Sequence, residues 1–242
     1  MRLFFALLFL LIFFIISIPL FLIEFIIGKI NHKAMVASSQ WIVVRAFHVI
    51  LFLSGVKRTV LGLENVPKNE AVLYISNHRS YFDVPIAYVS LPTLTGFMAK
   101  KEISKIPFLR TWMHFLQCLF LDREDIKQGL KTVLKGIEQV KAGYSVFISP
   151  EGTRNHGKEM LPFKECSFKI AEKTGCAIVP VALSNTDEIF ENHFPKIKAT
   201  HVVIEFGKPI YPDQLDKEQR KFLGNHVQSI IRDMLEKNSS LL

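Results

Sequence analysis

The sequence predicts a layered α/β domain behind an N-terminal helical segment that associates with a membrane. Three features point to it. From residue 59 onward, short apolar runs of strand length alternate with stretches of helical periodicity, the pattern of a sheet covered by helices. Residues 1–58 are instead dominated by long apolar runs. The length of 242 residues suffices for one well-filled domain plus an appendage. The expected division is therefore 1–58, membrane-associated helices, and 59–242, the α/β domain.

Taken in order, Leu3 to Ile23 is interrupted only by Ser17 and Pro19. As a helix it is about 30 Å long, enough to cross a hydrocarbon core or to lie within one leaflet. A cleaved signal peptide is the rival reading. The run exceeds the usual apolar region of such peptides, and no small-x-small site follows before Glu24. Trp41 to Val56, broken by Arg45 and His48, fits an interfacial or re-entrant helix with Trp41 near the headgroups; a core helix of the domain fits it too.

Beyond Lys57, Val66–Glu70 reads as a turn into a strand at Ala71–Ile75, and Tyr81–Ser90 as a short helix. Leu119–Arg123 reads as an apolar strand that ends in the charged pair Asp122–Arg123. In Asp125–Lys141, Ile126, Leu130, Val133, Leu134, Ile137 and Val140 form an apolar stripe at helical spacing, and Gly143 ends the helix. Strands are expected at Ser145–Ile148, Ala177–Leu183 and His201–Phe206, with helices at Phe163–Lys173 and Lys217–Lys237. Pro180 cannot donate to a ladder, which implies an edge position or a bulge.

Composition narrows the function. Three cysteines without a CxxC pair argue against a disulfide framework or a zinc ribbon, and eight histidines without HExxH spacing give no case for a metal. The net charge of +8 suits nucleic acid, an anionic membrane or an anionic substrate. The basic residues are scattered, with no arginine-rich tract and no nucleic-acid module, so nucleic acid is set aside.

Two loops follow strands and carry reactive groups. In Asn77-His78-Arg79-Ser80-Tyr81-Phe82-Asp83, a histidine with a carboxylate five residues on is the minimum for deprotonating a hydroxyl. Ser80-x-x-Asp83 equally fits a capping box. In Pro150-Glu151-Gly152-Thr153-Arg154, Gly152 permits close backbone approach and Arg154 can bind a phosphate through paired hydrogen bonds; a plain turn with a solvated arginine is the alternative. Ligands gather outside the carboxyl ends of strands in α/β sheets, so the two loops can face one crevice.

Asn77-His78-x4-Asp83, then Phe120-Leu121-Asp122-Arg123, Pro150–Arg154 and Val179-Pro180, in this order, resemble the blocks of the glycerolipid acyltransferase family. The resemblance runs from about Leu61 to Pro209 and takes in Ala99–Ile103. Gln117, Asn155 and the Cys166–Ser167 region depart from it, standing where the family usually has glycine, serine and glycine. It implies a mixed sheet flanked by helices, the glycerol-3-phosphate acyltransferase-like fold. It also implies acyl transfer from a thioester co-substrate, acyl-CoA or acyl carrier protein, to the sn-2 hydroxyl of lysophosphatidic acid, with no cofactor. His78 and Asp83 would be catalytic. Lys100, Arg123, Glu151, Gly152, Thr153 and Arg154 would bind substrate, with oxyanion donors sought near Glu151–Gly152. Membrane lipids are the expected surroundings, and the domain is expected on the cytoplasmic face. Another lysophospholipid or glycerol 3-phosphate as acceptor, a thioesterase, and a non-catalytic lipid-binding module are the competing readings.

Overall fold

The structure, a computed structural model, describes residues 1–157 and 159–242; of Ile126 it describes the backbone, and its side chain lies outside the described atoms. Two helices open the chain, α1 (Arg2–Ile30) and α2 (His32–Ser54). Asn31 alone separates them, with extended backbone, and its side chain caps α2 by accepting from Ala34 N at 3.0 Å. That cap starts α2 nine residues before the apolar run at Trp41. The two helices fold back as a hairpin. Glu24 of α1 accepts the hydroxyls of Ser38 and Ser39 at 2.7 and 3.0 Å. Near the turn, Gly28 gives room to Met35, whose sulfur lies 2.6 Å from where a Cβ would stand.

Both helices are long and apolar enough to cross a membrane. They differ in surroundings. α1 leaves large apolar side chains open along its length, from Phe4 and Leu11 to Leu22 and Phe25. α2 buries Val36, Val43, Ile50 and Leu51 against α1 and the domain, while Trp41 and Phe52 stay exposed. It therefore combines a core face with an open apolar face.

The remaining elements are β1 (Lys57–Leu61), β2 (Leu73–Ser76), α3 (Asp83–Tyr88), β3 (Thr95–Lys100), α4 (Pro107–Phe115), β4 (Leu119–Leu121), α5 (Ile126–Lys141) and β5 (Ser145–Ile148). There follow α6 (Lys169–Thr174), β6 (Ile178–Ser184), β7 (His201–Phe206), α7 (Lys217–Lys221) and α8 (Leu223–Asn238). Among the described residues seven strands form one sheet, ordered β1-β7-β6-β2-β5-β3-β4; β6–β7 is antiparallel and the other pairs parallel. The sheet is mixed, as expected, and β1 begins just before the expected division at residue 59.

Alternation along the strands feeds two apolar layers. Tyr74, Phe147, Val179 and Val181 face the layer containing α2, α3 and α4. Leu73, Ile75, Val146, Ile148 and Ile178 face the layer containing α5, α6 and α8. The path from β2 to β3 runs through α3 on one face, and that from β4 to β5 through α5 on the other. The four neighbouring parallel strands β2, β5, β3 and β4 thus end at one edge of the sheet, where the loops that follow them gather.

Several expectations change. β6 is not an edge strand: it lies between β7 and β2. Pro180 is accommodated by a bulge, since pairing shifts by one residue between Val181↔Phe206 and Ile178↔Ile210, while Pro180 O accepts from Gly207 N. Of the expected stripe on α5, Val140 is buried and Val133 and Ile137 are partly buried against the core, but Leu130 and Leu134 are exposed and Thr132, Gly136 and Gln139 complete the buried face. Gly136 is buried because a Cβ there would meet the Ile170 side chain at 2.5 Å. The helix expected at Lys217–Lys237 is broken at Phe222, which leaves helical geometry at φ −118 ψ 44. Its second half, α8, packs on β6.

Candidate active site

His78 leaves the end of β2 and the Glu151 loop leaves the end of β5, its hydrogen-bonded neighbour. Adjacency of the strands makes adjacency of the loops; two contacts weld them and a third ties Glu151 within its own loop. Glu151 Oε1 accepts the main-chain N–H of His78 at 2.8 Å, Asn155 N donates to the His78 carbonyl at 2.8 Å, and Glu151 Oε2 accepts Leu161 N at 2.9 Å. Glu151 is buried, which pushes its carboxyl above the usual glutamate value against the pull of those N–H groups. It braces the loops rather than facing a ligand.

The His78 ring is held by Asp83, the first residue of α3, with Nδ1 2.8 Å from Asp83 Oδ2. The same oxygen accepts Arg79 N and Ser80 N, each at 2.8 Å, so its direction is fixed independently of the ring. Half of the expected capping box is present: Asp83 reaches back to Ser80 N, while Ser80 Oγ accepts from Phe82 N at 3.0 Å and Phe82 is the N-cap residue. Capping geometry and dyad are one structure. With Nδ1–H given to the carboxylate, Nε2 is left to take a proton, the arrangement of a general base and its orienting acid.

His78 and Asp83 border a cavity of about 580 Å³, within the range of small-molecule sites. Its wall is mainly apolar: Phe13 and Phe14 of α1, Ala46 and Phe47 of α2, and Leu109 and Trp112 of α4 contribute. The α1 wall is anchored where Trp112 Nε1 donates to Ser17 Oγ at 2.8 Å. Gly152, Thr153 and Arg154 also border it, as do Lys100 at the end of β3 and Arg123 just beyond β4. Of the expected site residues, Glu151 alone is not among those that border the cavity.

The cations differ in setting. Arg154 stacks over the Tyr81 ring at 3.6 Å from its centroid, donates through Nη2 to Tyr81 Oη at 2.8 Å, and has Nη1 3.5 Å from Glu191. Arg123 is partly desolvated, which lowers its pKa from the usual arginine value without discharging it. Lys100 lies 3.7 Å from Glu102 and is exposed, whereas Lys101 is bound to Asp122 at 2.6 Å.

Gly152 adopts φ +77, a left-handed conformation that favours glycine. Its N–H is committed to Ser149 O at 3.0 Å, which removes it as an oxyanion donor. The Lys164 side chain lies along the space a Cβ would fill, with Nζ 3.0 Å away. Lys164, Asn155 and Glu191 are site neighbours that sequence reading did not assign. Lys164 and Glu191 occur in no motif that would have singled them out.

Comparison with known proteins fits this geometry. The family described as Acyltransferase matches residues 57–184. The 1-acyl-sn-glycerol-3-phosphate acyltransferase of Saccharomyces cerevisiae is 32% identical over 87% of this chain and 68% of its own length. The enzyme of that name from Borreliella burgdorferi is 32% identical over 82% and 78%. The crystal structure of the 1-acyl-sn-glycerophosphate (LPA) acyltransferase PlsC from Thermotoga maritima superposes with a TM-score of 0.74 at 26% identity, covering 99% of this chain and 98% of that one. The sheet, the paired loops and the sequence match agree, and the chain belongs to the acyltransferase family of enzymes.

Proposed function

We propose that this acyltransferase moves a fatty acyl group from a thioester donor to the sn-2 hydroxyl of 1-acyl-sn-glycerol 3-phosphate, forming phosphatidic acid for phospholipid synthesis. The observation that carries the reading is the His78–Asp83 pair, 2.8 Å apart, on the wall of an apolar cavity that Arg154 also borders. The names of the relatives support the acceptor.

In this reading His78 Nε2 takes the proton of the acceptor hydroxyl as its oxygen bonds to the thioester carbonyl carbon. Asp83 stabilises the imidazolium that results. The tetrahedral adduct collapses by breaking the carbon–sulfur bond, and the proton passes from His78 to the departing thiolate. No acyl-enzyme is formed. Arg154, with Lys100 and Arg123, holds the acceptor phosphate, and the apolar wall holds an acyl chain. The donor is acyl-CoA or acyl carrier protein; the positive charge suits either.

Membrane residence follows from the lipid substrates. Drawing a chain into water costs about 0.8 kcal/mol per CH₂, a cost avoided when α1, which supplies part of the cavity wall, sits among lipid tails. Thiol-linked acyl donors are made in the cytoplasm, which favours a site on that face.

The test is acyl transfer by the purified protein in mixed micelles, with either donor. Phosphatidic acid should form from the phosphomonoester acceptor, and turnover should fall at least tenfold with lysophosphatidylcholine. Equal turnover on both would overturn the assignment of acceptor.

A further inference from the structure

Between β6 and β7 the chain crosses back over the His78 loop as a strap, residues 185–200. Two acids on the strap reach that loop. Asp187 Oδ2 accepts Arg79 Nε at 3.1 Å and lies 2.9 Å from its Nη2. Glu191, a partly buried residue whose side chain is 8% exposed, accepts Ser80 Oγ–H and Tyr81 N–H, both at 2.7 Å, and lies 3.5 Å from Arg154 Nη1. The strap begins where the family match ends, at residue 184.

We infer that Glu191 is a positioning residue for acceptor binding: it fixes Tyr81 and, through Tyr81 and its own charge, the guanidinium plane of Arg154. The inference rests on the reading of Arg154 as the phosphate anchor.

A buried carboxylate beside that arginine could act in two opposed ways, as a competitor for the phosphate or as a brace. The distances decide between them. Glu191 is held hardest by the Ser80–Tyr81 turn, at 2.7 Å, and more loosely by Arg154, at 3.5 Å. It therefore stays with the turn and does not follow the guanidinium. Arg154 is meanwhile set from two sides, by the Tyr81 ring beneath it and the carboxylate beside it. An arginine held in this way loses less freedom when phosphate arrives, which tightens binding without changing the chemical step. Ser80 and Tyr81 belong to the turn that leads into Asp83, so the same carboxylate ties the phosphate site to the dyad.

Steady-state kinetics in micelles, with the acceptor varied at saturating donor, test this. Glu191→Ala should raise the acceptor KM roughly tenfold, the worth of a charge-assisted contact, with kcat within about threefold. In an Arg154→Ala background it should change that KM less than about twofold, because its effect passes through Arg154. Glu188→Gln serves as the control; it loosens the strap's internal contacts to Asn192 and His193 and should leave the acceptor KM within about twofold. Should Glu191→Ala fail to fold, the near-isosteric Glu191→Gln replaces it, with the same direction expected.

Additive effects of the two substitutions, or an equal rise in KM in Glu188→Gln, would overturn the inference, as would an unchanged KM in Glu191→Ala beside a raised one in Arg154→Ala. An unchanged KM in Arg154→Ala would instead overturn the phosphate-anchor reading on which the inference stands, and the inference with it.

Discussion

The carboxylate of Glu151 receives the main-chain N–H of His78 at 2.8 Å, so the loop after β5 grips the loop after β2 at the residue whose imidazole Asp83 holds. Its other oxygen takes Leu161 N, and the group is buried with both oxygens engaged.

Glu151→Gln keeps the shape but turns an amide NH₂ toward one of those N–H donors. Leaving that donor unpaired should cost about 1–3 kcal/mol of stability. Burial raises the Glu151 pKa, so the folded chain holds this proton more tightly than the unfolded one. Wild-type stability from this group is full below the ordinary glutamate value and is lost as pH rises through the folded value. The destabilisation of Glu151→Gln should therefore be largest in acid and shrink to a constant as pH rises. Unfolding in detergent across a pH series checks it; a destabilisation that grows with pH contradicts it.

Ala46 of α2 is a small buried residue on the cavity wall, beside Phe47 and Ile50. Ala46→Phe places a ring in that space, and the overpacking should cost about 1–3 kcal/mol when a long chain is bound. Activity with a palmitoyl donor should fall about tenfold relative to a decanoyl donor. An unchanged ratio would separate the cavity from the acyl chain.

Asp83→Asn removes the charge that holds Nδ1–H and weakens the acceptor for Arg79 N and Ser80 N. Rates should drop about 10²- to 10⁴-fold. Adding His78→Ala should then lower them little further, because the pair acts as a unit. Multiplicative losses would show that the two residues act separately.

Much of this was legible in the sequence. Strands β5 and β7 were read with their observed ends, and β2, β4 and β6 to within two residues, because each is a short apolar run between turn residues. The dyad was legible because spacing within one loop brings Asp83 back to His78. Strand β1, with Lys57, Arg58 and Thr59, lacks an apolar signature, since it is an edge strand whose residues are at least partly open. The exposed leucines of α5 show the limit of periodicity: Gly136 and Thr132, not Leu130 and Leu134, face the core because close packing against Ile170 leaves room only for glycine. The inward turn of Glu151 and the reach of Glu191 to the His78 loop depend on contacts 73 and 111 residues apart in sequence, which local pattern does not encode.

The central claim is that His78, oriented by Asp83, removes the proton from the acceptor hydroxyl. The most direct measurement compares purified wild type with His78→Ala for phosphatidic acid formation from lysophosphatidic acid and a thioester donor, at saturating concentrations of both. A fall in kcat of about 10²-fold or more, with the melting transition retained, is the predicted result. Equal rates for the two proteins would contradict it.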